Sequence, residues 1–391
     1  MQLRDVCKFI VDCPHSTAKD EGLGYPLIRT PNIGKGRLLL DNVHRVSEQV
    51  YRERTQRGTP EDGDIIFARE APAGNAALVT NGEKVCLGQR TVLIRPNTEL
   101  VNPQFLVYYL LGPEQQYKLL GNANGATVDH VNLPIIRNLP IQLPDRKIQD
   151  KIADILSTYD DLIENNKKQI KLLEEAAQRL YKEWFVDLHF PGYENTKIID
   201  GVPEGWKKSS LEAICELQET IISVEELALN CPYIGLEHMP RKDFCLASFG
   251  QAQDSCGKKY FFEEDDIIFA KIRPYFHKVG FAITSGVVSL DSFVIKSQKG
   301  FWGLLLMTMF SEDFVNYSYR TCKEGAKMPR ADWNQMKKYH VKIPDDQIRK
   351  EFEKNIWSIT RRIKVLAFQN KNLLEARDRL LPKLIQGEID L

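Results

Sequence analysis

Long apolar runs are missing from this chain of 391 residues. None approaches the ~18 residues that a membrane span needs, and Met1 leads into charged residues rather than a hydrophobic signal core. Neither insertion nor export is expected. A charge excess of either sign is missing too, since 53 Lys and Arg face 53 Asp and Glu. A protein that grips nucleic acid unaided is usually basic, so the balance argues mildly against that role. The 8 cysteines are scattered without a Cys-x-x-Cys step, which excludes a disulfide scaffold or a zinc site and suits reduced thiols in a cytoplasm.

The common catalytic constellations are absent as well. Gly34-Lys35-Gly36 lacks the upstream glycine and the hydroxyl of a phosphate-binding loop. No HExxH is present and the 7 histidines are isolated, so no metal is expected. There is no GxSxG elbow, no Asn/Asp-Pro-Pro-aromatic step of amino-methyltransferases, and no glycine-rich cofactor loop after a strand. Pro144-Asp145 and Pro344-Asp345 lack a following acidic-x-Lys step on a strand, which a nuclease would need. Both sit at helix starts, where the dipole favours an acidic residue. Alone, the chain is expected to do no chemistry.

What is present is a duplication. IQLPDRKIQDKI (residues 141–152) returns as VKIPDDQIRKEF (residues 341–352) after a displacement of 200. At the same displacement Leu173-Glu174-Glu175-Ala176 answers Leu373-Leu374-Glu375-Ala376, and Gly125-Ala126 answers Gly325-Ala326. DIIFAR (residues 64–69) answers DIIFAK (residues 266–271), now 202 apart. Each copy opens with short β-type runs such as IIFA, TVLIRP and DSFVIK, broken by Gly, Pro and Asn, and then turns to an apolar helical stretch. The pattern predicts an α+β fold with a pseudo-two-fold internal repeat. Two similar globular domains (residues 1–143 and 191–343) alternate with two long spacer helices (residues 144–190 and 344–391) that pair antiparallel as a coiled coil.

The helices are expected over residues 146–186 and 346–386, each opening after a proline step that bars helix before it. Ile163, Asn166, Ile170, Leu173, Ala177, Leu180 and Trp184 make a heptad seam in the first. Ile356, Ile359, Ile363, Leu366, Asn370 and Leu373 do so in the second, with Arg377 interrupting before Leu380. Each seam holds one Asn. If Asn166 faces Asn370 their amides satisfy each other, and Phe185 then meets Glu351.

A rod of forty residues is about 60 Å long, which would suit two contacts one to two turns of DNA apart, at ~34 Å per turn. Charge separates along the second copy: residues 204–266 hold 6 basic and 13 acidic residues, whereas residues 267–342 hold 12 and 5. A basic face on a neutral molecule is therefore open. Candidate DNA contacts lie where basic and polar residues crowd near turns. In the first domain they are Arg29, Asn32, Lys35, Arg37, Arg69, Gln89 and Arg90; in the second, Lys271, Arg273, Tyr275, His277, Lys278, Lys327 and Arg330. Arg and Gln suit base edges and Lys suits phosphate. Arg69 and Lys271 follow matching strands.

KEWFVDLHFPG (residues 182–192), closing a heptad helix, resembles the central region of type I restriction-modification specificity subunits. VPEGWKKSSLEAI (residues 202–214) resembles the lead-in to their second target-recognition domain, and RLLPKLIQGEIDL (residues 379–391) their C-terminal end. The first domain departs from the pattern, beginning MQLRDV without a Pro-x-Gly-Trp step. The resemblance implies a non-catalytic DNA-reading subunit whose two target-recognition domains read the halves of a bipartite site in double-stranded DNA while the helices set the gap. It implies two methyltransferase subunits and, in the full complex, restriction subunits as partners; S-adenosylmethionine, ATP and magnesium belong to those. Trp184 and Phe185 then stand as partner-binding candidates. A protein–protein adaptor with two peptide-binding domains is the alternative; it explains neutrality but not WFVD.

Overall fold

The computed structural model describes residues 1–80, 82–121, 130–322 and 327–391. The Gly125-Ala126 and Gly325-Ala326 match lies outside them. Contacts gather the chain into two compact units, residues 1–162 with 373–391, and residues 163–372. Each unit combines one globular head with segments of both long helices, so packing divides the chain inside the helices rather than at their ends.

In the first unit, β1 (Cys7–Asp12), β2 (Gly36–Arg37), β3 (Ile65–Ala68), β4 (Ala76–Leu78) and β5 (Thr91–Pro96) form one sheet in the order β1-β5-β3-β4-β2. Only the β2–β4 pair is parallel. β3 is apolar throughout because both its faces are covered. Ile65 and Phe67 pack with Phe105 and Leu106 of the helix Pro103–Leu111, while Ile66 and Ala68 face Ile28 and Ile33 on the other side. That is the two-residue alternation of a strand. Asn102 caps the covering helix, its side chain accepting from the Phe105 amide.

The second unit repeats this plan. β6 (Cys215–Gln218), β7 (Cys245–Leu246), β8 (Ile267–Ala270), β9 (Val279–Ala282) and β10 (Ser292–Ser297) run in the order β6-β10-β8-β9-β7, again with one parallel pair, β7–β9. Ile267 and Phe269 face one core and Ile268 and Ala270 the other. The departure at the start of the chain also resolves. Leu3 donates its amide to Leu139 as Leu211 does to Tyr339, both at 2.9 Å. The MQLRDV run therefore matches the SSLEAI part of the second lead-in, and Trp206, which precedes that part, packs on Phe185 and Phe190.

The long helices form where the heptads and proline steps place them. α1 covers Arg146–Tyr181 and passes into a π turn, Lys182–Val186; α2 covers Asp346–Gln386. Asp345 caps α2, its Oδ1 accepting from the amides of Gln347 (2.9 Å) and Ile348 (3.1 Å). This is the structural use of the second Pro-Asp step. Within the first unit, Asp160 of α1 meets Arg377 of α2. Within the second, Phe185 meets Phe352 edge to face at 4.7 Å. Both pairs fit one antiparallel register, a single residue from the expected Phe185–Glu351 alignment. The reason offered for that register needs correction, because the buried Asn370 Oδ1 has no hydrogen-bond partner and no amide pair with Asn166 forms.

Trp184 and Phe185 also need correction as partner-binding residues. Both are buried, 7% and 5% exposed, in an aromatic stack with Phe352. They close the core where α1 ends and α2 begins.

Candidate nucleic-acid interface

Each head brings three chain segments together by backbone hydrogen bonds at the end of its IIFA strand. In the first, the Arg69 amide donates to Arg90 O (2.8 Å) and the Val131 amide donates to Arg69 O (3.0 Å). In the second, the Lys271 amide donates to Asp291 O and the Ala331 amide to Lys271 O, both at 2.8 Å. Position 69 thus corresponds to 271, 90 to 291, and 130 to 330. Strand register adds a fourth correspondence, since Val11 opposes Leu93 and Gln218 opposes Val294. Asp12 and Glu219 follow these two residues.

The side chains on this common frame differ. Arg69 is buried, and its Nη1 reaches both oxygens of Asp12 at 2.9 and 2.8 Å. Its Nε donates to Val131 O at 2.9 Å and its Nη2 lies 2.8 Å from His130 Nε2. Buried and in contact through all three of its nitrogens, Arg69 braces the junction. Lys271 is half-buried between Tyr260 and Phe293 and donates to Leu290 O at 2.8 Å. Burial, helped by Arg330, pushes its ammonium below the usual lysine range.

Two other candidates are buried as well, and a third is tied down by a backbone carbonyl. Asn32 is buried, accepting from the Arg29 amide and donating to Leu39 O at 3.2 Å. His277 is buried and its Nε2 donates to Phe310 O at 2.7 Å, while burial holds its imidazole below the ordinary range. Lys278 donates to Leu236 O at 2.5 Å, and burial pushes its ammonium down as well. Asn32 and His277, like Arg69, are corrected from DNA contacts to buried structural residues, whereas Lys278 is partly exposed. A polar side chain beside a turn in sequence is as suited to bracing that turn as to reaching a ligand.

The remaining candidates reach the surface to different degrees. Lys35, Arg90, Tyr275, Lys327 and Arg330 are exposed; Arg29, Arg37, Gln89 and Arg273 are partly exposed. Arg37 pairs with Asp161, which lies on α1. Gln89 donates to His15 O at 2.6 Å and accepts from Thr17 at 3.1 Å. The Arg29 Nε is buried without a partner. Arg273 sits in the left-handed backbone region, with its guanidinium 5.7 Å from the centre of the Phe276 ring.

Four residues at the junctions escape a reading by composition: Asp12, Glu70, His130 and Asp291. Glu70 pairs with Arg90 at 2.8 Å and with His130 at 2.5 Å, and Asp291 pairs with Arg330. The repeat carried the signal for one of them, His130. At the displacement of Gly125-Ala126 onto Gly325-Ala326, His130 falls on Arg330.

Two heads of one topology, carrying different ionic groups on the same frame, define a duplicated α+β binding protein. Its relatives agree with that class. Residues 1–175 match the family described as type I restriction modification DNA specificity domain. The chain is 26% identical to the type I restriction enzyme MjaIX specificity subunit of Methanocaldococcus jannaschii, over 88% of this chain and 81% of the relative. It is 24% identical to the HindI specificity subunit of Haemophilus influenzae, over 84% and 86%. Its fold is similar to the crystal structure of a type I restriction-modification S subunit from M. genitalium, with a TM-score of 0.58, 16% identity, and 98% and 95% of the two chains covered. Along most of its length the chain is similar to type I restriction-modification specificity subunits.

Among the described residues no helix is long and apolar enough to cross a membrane, and no group of three or more His, Cys, Asp or Glu is placed to hold a metal ion.

Proposed function

We propose that this chain is the sequence-reading subunit of a type I restriction-modification complex. Each head reads one half of a bipartite site in double-stranded DNA, and α1 and α2 set the gap between the halves. The observation that carries the reading is the shared backbone junction with unlike side chains: one docking geometry, two chemistries, as an asymmetric two-part site requires. The chain itself supplies no reaction. Two methyltransferase subunits, and restriction subunits in the full complex, bring S-adenosylmethionine, ATP and magnesium, and the assembly works in the cytoplasm. Partners that share the grip on the phosphates account for a reader whose net charge is +0.

The decisive experiment maps modified bases in the host genome with and without this gene. A gapped motif that vanishes on deletion supports the proposal; an unchanged methylation pattern overturns it. Binding by the purified chain with its methyltransferase partner gives a second readout. Affinity for duplex DNA is expected to fall with salt along a log-log line whose slope reports several phosphate contacts. Salt-independent capture of peptides would point to the adaptor instead.

A further inference from the structure

At each junction one guanidinium remains exposed and a less exposed carboxylate holds it, but the two arginines stand on different segments. In the first head it is Arg90, 59% exposed, with Nη1 2.8 Å from Oε2 of Glu70, itself 15% exposed. Glu70 is steadied in turn by His130, whose Nδ1 lies 2.5 Å from Oε1. In the second head the matching position holds Asp291, 38% exposed, and the exposed cation is Arg330, 54% exposed, across the junction. Resting on the DNA-reading function above, we infer that Arg90 and Arg330 each read a guanine, one in each half-site, and that the move of the exposed arginine from position 90 in the first head to position 330, across the junction, in the second sets the heads' different preferences.

One property is shared by both arginines, and two further observations concern Arg90. A guanidinium that uses one edge on a carboxylate still presents other N–H donors, now pre-aimed, and such a fork matches the O6 and N7 acceptors of guanine in the major groove. Arg69, joined to Arg90 by a backbone hydrogen bond, is buried with all three guanidinium nitrogens in contact inside the junction, so Arg90 is the exposed one of the two. Arg90 also holds a φ of 66°, in the left-handed region that residues with a Cβ seldom adopt. Strain of that kind persists where surrounding structure enforces it, and it aims the side chain. Lys35 and Lys327, also exposed, are flexible point charges and suit phosphate.

The test uses the complex of the full chain with its methyltransferase partner and selects bound duplexes from a randomised pool. Arg90→Ala is expected to lower the preference for guanine about tenfold or more at one position of one half-site, leaving the other half-site unchanged. Arg330→Ala is expected to do the same in the other half-site. Arg90→Lys keeps the charge and loses the fork, so it should keep the salt slope of binding while relaxing the same position. Uniform weakening across all sequences, with a shallower salt slope, would make these arginines phosphate contacts and overturn the inference, as would unchanged selectivity. A wild-type complex that selects no motif overturns the DNA-reading function itself.

Discussion

Arg377 Nη1 lies 2.6 Å from Oδ1 of Asp160, an ion pair whose side chains are 14% and 5% exposed. Tyr108 completes it, its hydroxyl donating to the other Asp160 oxygen at 2.7 Å. The arginine that interrupts the apolar seam of α2 is thus matched by a carboxylate on α1. Burial works against the Arg377 charge, yet the hydrogen bonds to Asp160 and Asp378 hold its guanidinium above the usual range.

Removing one partner of such a pair strands the other charge. Arg377→Ala is expected to destabilise the first unit by about 3–5 kcal/mol, read as a shift in the urea midpoint. Replacing Asp160 and Arg377 together by Asn and Met should cost distinctly less than the sum of the single changes. Additive losses would mean that the two side chains do not support each other.

Glu174 gives a prediction in pH. Its Oε1 accepts from the amides of Phe244 (2.9 Å) and Cys245 (3.0 Å), pinning α1 to the head of the second unit. Burial, with Asp243 adding to it, pushes this carboxyl up to about 8. In the unfolded chain it titrates near the ordinary ~4.3. Between those values the folded state binds more protons, so the contribution of Glu174 to stability declines as pH rises and levels off above about 8. Glu174→Gln keeps the acceptor without the charge. Its stability relative to wild type should grow from pH 5 to pH 8, and a constant difference across that range would exclude the effect. Glu353, raised by burial in the same direction, is common to both proteins and cancels in the comparison.

Asn370 makes the seam less stable than it need be. Its Oδ1 is buried without a partner, and an unsatisfied buried acceptor costs about 1–3 kcal/mol. Asn370→Leu is expected to raise the urea midpoint by a comparable amount. A loss of stability would show that the amide is paired in solution, with Asn166 or with water.

The duplication and the helices were legible because their signals are local. A constant displacement survives insertions elsewhere, heptads recur every two turns, and a Pro-Asp step marks a helix start whatever surrounds it. Long-range partners were not legible. Nothing near Arg69 in sequence announces that Asp12, on a different strand, will take its guanidinium. Trp184 and Phe185 looked available at a helix end, but Phe352 and Trp206 arrive from distant segments to cover them. The correspondence of His130 with Arg330 could have been read from the repeat, whereas the carboxylates that hold the exposed arginines required the fold.

Arg69 and Lys271 occupy the same frame position with different partners, so equal substitutions should have unequal effects. Arg69→Ala leaves the Asp12 carboxylate, 17% exposed, without its bidentate donor. A loss of about 3–5 kcal/mol is expected in the first unit. Lys271→Ala removes one hydrogen bond to Leu290 O and two ring contacts, and should cost about 1–2 kcal/mol. Both are measured by chemical denaturation. A harmless Arg69→Ala variant that lost DNA selectivity would instead make this arginine a base reader.

The proposed role of the helices as a spacer is tested by length. A heptad adds about 10 Å to a helix, close to three base pairs at ~3.4 Å each. Inserting seven residues into both α1 and α2 at facing points retains the seam, because the insertion preserves its period. The modified motif in cells carrying this variant should keep both half-sites and widen its gap by about three base pairs. Inserting seven residues into α1 alone breaks the match between Asp160 and Arg377 or that between Phe185 and Phe352, and should abolish modification. Insertion of four residues into both helices turns the seam away and should also fail. If the doubly lengthened protein methylated the original gap, the helices would not measure the distance between half-sites, whatever their part in assembly.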